Sequence, residues 1–360
     1  MRTPFTKKNY FHQFFNRRTV ILMITAILLP VSLCVSISVG AASVPITETI
    51  RILCGYDSEP RYLYIIRDIR LPQSLAAILA GAGLSISGAA MQSVLRNPLC
   101  SPFTLGISSA AAFGAALTLY LGGGEISLAD NMLFTSNHFF ATARVGISLG
   151  AFFCAVITTA VVLLLGQVRG TRSESIILVG VALSSLFSAA LMFLQYIADD
   201  SRLAAIVYWT FGDTARATWN SLILMTVCVL PVSFYFVYHS WNYNALVLGE
   251  ESARSLGVPV RRLQMFTMLF ASLLTAVLVS LLGIIGFVGL VVPHVSRLWI
   301  GSDHRFLLPF SLLFGGLLLL VADTSARLIF APRVLPVSIL TAFIGVPVFL
   351  SLLLGKRTQL

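Results

Sequence analysis

Leu263–Ser296, LQMFTMLFASLLTAVLVSLLGIIGFVGLVVPHVS, runs for 34 residues without Asp, Glu, Lys or Arg. As one helix it would reach about 51 Å at 1.5 Å per residue, far beyond a hydrocarbon core of roughly 30 Å. Too long for one crossing and too apolar for water, the stretch has to fold back within a membrane. Gly283, Gly286 and Gly289 lie near its middle, so the spacing predicts a hairpin of two spans, 264–283 and 284–300.

The rest of the chain agrees. Of 360 residues 57% are apolar and 11% charged, against about 25% charged in a soluble domain. Cys34, Cys54, Cys100, Cys154 and Cys228 are scattered without a CxxC, so neither a disulfide scaffold nor a redox motif is present. Windows of about 20 apolar residues place further spans near 19–39, 72–92, 102–121, 143–165, 175–197, 219–239, 306–325 and 336–354. The expected fold is therefore all-α, a polytopic membrane protein of ten transmembrane helices. The first run, Thr19–Val39, follows Lys7, Lys8, Arg17 and Arg18 and is too long for a signal-peptide core, so it reads as an uncleaved helix. The organisation expected is a cytoplasmic segment 1–18, one transmembrane domain of ten helices over 19–355 and a cytoplasmic tail 356–360.

The net charge of +10 does not point to nucleic acid, because the cations are dispersed between apolar runs. Ten crossings put 15 of the 24 Lys and Arg but only 4 of the 14 acids on one side, leaving +11 there and −1 on the other. By the positive-inside rule both termini face the cytoplasm. The longest inner loop, 240–262, reads as a helix of its own. Asn244 is placed to cap it, Glu250 or Glu251 to pair with Arg254, and Gly257 with Pro259 to stop it.

No engine for uphill transport is encoded. The only Gly-Lys pair, Gly355-Lys356, lacks a P-loop's first Gly, with Leu350 there, and has Arg357 where Ser or Thr is needed. His12, His138, His239, His294 and His304 lie on different segments; no catalytic site, metal site or cofactor is expected. An ion-coupled secondary carrier, the alternative class, would be expected to carry charges inside its spans, and these spans hold hydroxyls, amides and small residues instead. Gly81, Gly83, Ser85, Ser87 and Gly88, with Ser108, Ala112, Gly114 and Ala115, suit close helix packing.

Longer motifs are family-specific. Arg70-Leu71-Pro72 leads into Ala80-Gly81-Ala82-Gly83-Leu84-Ser85-Ile86-Ser87-Gly88, Met91-Gln92, Leu95-Arg96-Asn97-Pro98-Leu99 and Leu105-Gly106-Ile107-Ser108. Further blocks are Leu248-Gly249-Glu250-Glu251-Ser252-Ala253-Arg254-Ser255-Leu256-Gly257, Gly286-Phe287-Val288-Gly289-Leu290-Val291-Val292-Pro293-His294, and Gly345-Val346-Pro347-Val348-Phe349. Over roughly residues 60–355 the chain resembles the FecCD-type permeases of ABC importers for iron-siderophores, haem and cobalamin, an ABC type II importer architecture.

That resemblance implies a second permease subunit, either a copy or a related chain, two cytoplasmic ATP-binding subunits and a periplasmic or surface substrate-binding protein, in a bacterial inner membrane. It implies that Leu248, Gly249, Glu250, Glu251, Ala253, Arg254, Leu256 and Gly257 couple to the ATPases. Arg70 and Arg327, with Arg67 nearby, are the implied docking cations for the binding protein. The translocation path is expected along spans 72–92, 175–197, 284–300 and 336–354, with Met91, Gln92, Ser185, Ser188 and Thr341 as candidates. A ferric siderophore is the first substrate expected, with haem or cobalamin the alternatives. Two positions depart from the family pattern. Gln73 follows Arg70-Leu71-Pro72 where Arg is frequent, and Asp213-Thr214 follows Trp209-Thr210-Phe211-Gly212 where Ser-Leu is common.

Overall fold

The structure, a computed structural model, describes residues 7–40, 44–56, 58–122, 138–168, 173–331 and 333–354. The tail 356–360 and residues 1–6 of the expected N-terminal segment lie outside the described residues. In chain order the helices are α1 (Lys7–Ser38), α2 (Ile46–Leu53), α3 (Pro60–Tyr64), α4 (Leu71–Val94), α5 (Ile107–Leu121), α6 (His138–Val168), α7 (Ser173–Ile197) and α8 (Asp200–Thr210). They continue with α9 (Trp219–Tyr238), α10 (Ser240–Val247), α11 (Glu250–Ser255), α12 (Val260–Leu282), α13 (Val288–Ile300), α14 (His304–Ile329) and α15 (Val337–Leu354). A π-helical stretch, Ile65–Arg70, joins α3 to α4.

The decisive stretch breaks where the glycines stand. Helix α12 ends at Leu282, Gly283 adopts φ 81, and α13 begins at Val288 after Phe287 at φ 66. Irregular backbone is tolerated at membrane depth only where protein covers its polar groups. Here Phe211 and Ile284 form a bridge, and the Asp213 N–H donates to the Leu282 carbonyl at 2.8 Å.

Seven described helices are long and apolar enough to cross a membrane, and three shorter apolar ones, Ile107–Leu121, Val288–Ile300 and Val337–Ser351, accompany them. All ten overlap windows expected from sequence, but only seven have the length of a crossing, so the structure supports seven of the ten expected spans. The 13 residues of α13 span only about 20 Å, shorter than the expected 284–300. At the N-terminus α1 begins at Lys7, so the expected N-terminal segment 1–18 is helical from there on; the membrane-length part of α1 is Arg17–Ser38.

Helix α4 is the centre of the bundle: 83% of its apolar window is buried, against 17% for α1 and 11% for α7. Small residues allow this. A Cβ on Gly88 would lie 1.7 Å from the Gly289 carbonyl oxygen, and one on Gly81 would lie 2.2 Å from that of Gly315, so α13 and α14 lie against the α4 backbone itself. Without a hydrophobic drive between helices in lipid, such close packing is what holds spans together. The outward faces of α7 and α9 carry exposed Leu178, Leu186, Phe193, Tyr196, Ile223 and Phe234.

Candidate functional site

The loop 240–262 is two helices, not one. Gly249 at φ 108 separates α10 from α11, and Gly257 at φ 83 ends α11. Its inward side is anchored by Tyr243, Leu246 and Ala253, all fully buried, and the Tyr243 hydroxyl lies 2.8 Å from Thr267 Oγ1. Burial pushes the Tyr243 phenol well above its ordinary range, so it stays neutral. Its outward side exposes Val247, Leu248 and Leu256, each at 59–67%. Three large aliphatic side chains are thus bared on a charged loop.

The expected pairing of Glu250 with Arg254 is present at 3.7 Å, but Glu250 also reaches inward. Arg96 Nη2 donates to its carboxylate at 3.1 Å, and Gln264 Nε2 at 3.3 Å. Glu251 and Arg254 are exposed. Asn244 does not cap the loop helix as expected, since it sits inside α10; its amide donates to Asp303 at 2.8 Å and its carbonyl accepts the His304 N–H at 2.9 Å. Burial works to raise the Asp303 carboxyl, yet hydrogen bonds from Arg305 and Asn244 outweigh it and hold the group down at about 2. Arg18 lies 3.8 Å from the same carboxylate, and Arg305 stacks on Trp241 at 4.3 Å.

At the opposite end of the bundle, Arg70 and Arg327 are not surface groups. They are 5% and 6% exposed, and both turn toward the C-terminus of α1. Arg70 Nη1 donates to the carbonyls of Ile37 and Ser38 at 2.8 and 2.9 Å, while Arg327 donates to the Ser36 carbonyl at 3.2 Å and its hydroxyl at 2.7 Å. A cation at the negative end of a helix, meeting carbonyls that have no partner in the helix, is the favourable arrangement. Arg216 does the same for α8, donating to the carbonyls of Tyr208, Trp209 and Phe211; burial pulls its guanidinium below its ordinary value. Of the expected docking cations only Arg67 is exposed.

The two departures from the family pattern meet at one carboxylate. Asp323, 2% exposed, pairs with Arg327 at 3.1 Å. Its Oδ1 accepts Gln73 Nε2 at 3.0 Å and the Thr214 hydroxyl. An amide at position 73 satisfies this acceptor without adding a further buried cation beside Arg70 and Arg327. The cluster ties α4, α14, α1 and the turn before α9 together.

The expected path residues do not share one surface of this chain. Met91, Gln92 and Thr341 are buried, whereas Ser185 is exposed on α7 with Ser188 half-buried beyond it. Gln92 Oε1 accepts from Arg297, and its amide donates to the Leu290 carbonyl at 3.4 Å. It fastens α4 to α13. The signal for this was the lone Arg297 inside an otherwise uncharged run.

Residues 28–355 match the FecCD transport family model. An ABC transporter permease protein of Methanocaldococcus jannaschii is 49% identical, with 93% of each chain covered. The hemin transport system permease protein of Yersinia pestis is 35% identical over 91% of this chain and 94% of its own. A solved inward-facing structure, described as a metal-chelate type ABC transporter, superposes with a TM-score of 0.79 at 33% identity, covering 94% of this chain and 99% of the other. A central helix packed on glycine backbones, a loop baring aliphatic side chains at one end and a family match over nearly the whole length lead to one statement: the chain belongs to the FecCD transport family.

Proposed function

We propose that this chain is the permease subunit of an ABC importer that moves a metal chelate, a ferric siderophore first, from a substrate-binding protein into the cytoplasm. The observation that carries the reading is the exposed Val247, Leu248 and Leu256 patch on a loop whose other side is locked into the bundle. In this reading ATP hydrolysis belongs to two partner subunits docked on that patch. A second permease, a copy or a relative, completes the path against the exposed apolar faces. The chain crosses a bacterial inner membrane ten times, the three short apolar helices included, with both termini in the cytoplasm. Arg67 faces the binding protein, where a rim charge steers encounter more than it adds affinity. Kinship with a metal-chelate type transporter supports the substrate class; kinship with a hemin permease makes haem the second candidate.

The test is uptake of labelled substrate by cells with and without this gene, offered in turn ferric siderophores, haemin and cobalamin. Gene-dependent uptake of one siderophore supports the proposal. Gene-dependent uptake of haemin or cobalamin alone overturns the substrate assignment, and transport by the purified chain without ATP overturns the importer class.

A further inference from the structure

The cytoplasmic end of α4 is held by four different elements within five residues. Gln92 bonds Arg297 and the Leu290 carbonyl of α13. Ser93 Oγ lies 2.5 Å from His304 Nε2, at the start of α14, and that ring's Nδ1 lies 2.8 Å from Asn244 Oδ1 on α10. The Val94 carbonyl accepts Gln264 Nε2 of α12 at 3.2 Å, and the same amide reaches Glu250. Arg96 then pairs with Glu250 of α11 at 3.1 Å. The loop thus grips α4 twice, from α10 through Asn244 and His304 and from α11 through Glu250.

Arg96 is one of two non-glycine residues with positive φ among the described residues, at 45°. Such a conformation is uncommon outside glycine and persists where surrounding contacts over-determine it. Here the turn aims the guanidinium at Glu250. The pair is half-exposed, 47% and 30%, so it contributes little to stability. A contact with small stability value, strained backbone and a partner on the loop suits transmission better than construction.

We infer that residues 92–96 receive the movement of the loop 240–257 and pass it to α4, with Arg96 and His304 as positioning residues. This rests on the reading of the loop as the ATPase dock. When the dock is displaced, α4 moves as a rod because both ends of the loop hold it, and its glycine contacts with α13 and α14 carry the displacement to their spans. Glu250 therefore acts inward, through Arg96.

The experiment uses the assembled importer in proteoliposomes, measuring substrate taken up per ATP hydrolysed, together with co-purification of the ATP-binding subunits. Arg96→Gln is expected to lower uptake per ATP at least threefold with those subunits still attached, and Arg96→Lys to restore more than half of it. Adding Glu250→Gln to Arg96→Gln is expected to bring no further loss. Full uptake per ATP in Arg96→Gln, a multiplicative loss in the double variant, or release of the ATP-binding subunits by Arg96→Gln would each overturn the inference. Because Arg96 is half-exposed its variants fold, and Gln264→Leu gives an independent break of the same grip, with the same expected and contrary results. Failure of the dock reading shows separately, as unchanged co-purification in Leu248→Glu/Leu256→Glu.

Discussion

Gly88→Ala tests the packing that places α4. The added methyl carbon would sit 1.7 Å from the Gly289 carbonyl oxygen, 2.6 Å from its carbon and 2.9 Å from its Cα, where ordinary contact begins near 3.4 Å. All three atoms are main chain, so no rotamer change relieves the clash; α13 must retreat by more than an ångström. Overpacking of this kind costs about 1–3 kcal/mol, and a rigid obstacle puts it near the top of that range. Ala gains back about 1 kcal/mol of helix propensity over Gly, leaving a net loss of about 2 kcal/mol. At Gly83 the obstacles are side chains, the tip of Leu278 with Cδ1 at 2.8 Å, which can swing aside, and Val229 Cγ2 at 3.2 Å, which has to give by only a few tenths of an ångström. There the two terms cancel to roughly zero. Gly286 meets nothing within 4 Å and is the control. Thermal unfolding of the three variants in detergent reads the difference, at about 1–2 °C per kcal/mol for a chain this long. Gly88→Ala should unfold about 2–4 °C below the other two. Coincidence of all three transitions would refute the claim that main-chain contact at Gly88 sets the α4–α13 distance.

The buried ion pair gives a second prediction. Arg327→Met leaves Asp323 without its cation and should cost about 3–5 kcal/mol, while adding Asp323→Leu recovers most of it; unfolding temperatures decide, and an undisturbed Arg327→Met would contradict the capping role. Arg67→Glu should slow binding-protein association at low salt and much less at high salt, which stopped-flow mixing would show; equal rates at both salts would remove Arg67 from the interface. The Asp303 carboxyl, held near 2 against an ordinary 3.8, contributes stability that is complete above about pH 4 and lost as pH falls toward 2. The stability difference between wild type and Asp303→Asn should therefore be flat from about pH 8 to 5 and shrink only below about 4.

Much of this was legible in the sequence because composition and length are strong constraints inside a membrane. The uncharged run at Leu263–Ser296 had to bend, and its glycines stood where helix α12 ends and α13 starts. Charge at i,i+4 announced Glu250 and Arg254. What stayed hidden depended on partners distant in sequence. Arg70 and Arg327 stand at span ends, where an arginine facing water and one capping another helix look alike; only the arrival of α1 distinguishes them. Gln73 and Thr214 looked like unrelated departures until the fold placed both on Asp323, 250 and 109 residues away. Asn244 carried a capping residue's identity, but its helix begins four residues earlier, freeing its amide for Asp303 and His304.

The most direct test of the central claim is co-purification of the ATP-binding subunits with the wild-type chain and with Leu248→Glu/Leu256→Glu, both shown to be folded by their unfolding temperatures. The account predicts that the wild type carries the ATP-binding subunits and takes up substrate only with ATP, and that the charged variant loses both. Retention of those subunits and of ATP-driven uptake by the charged variant would contradict it.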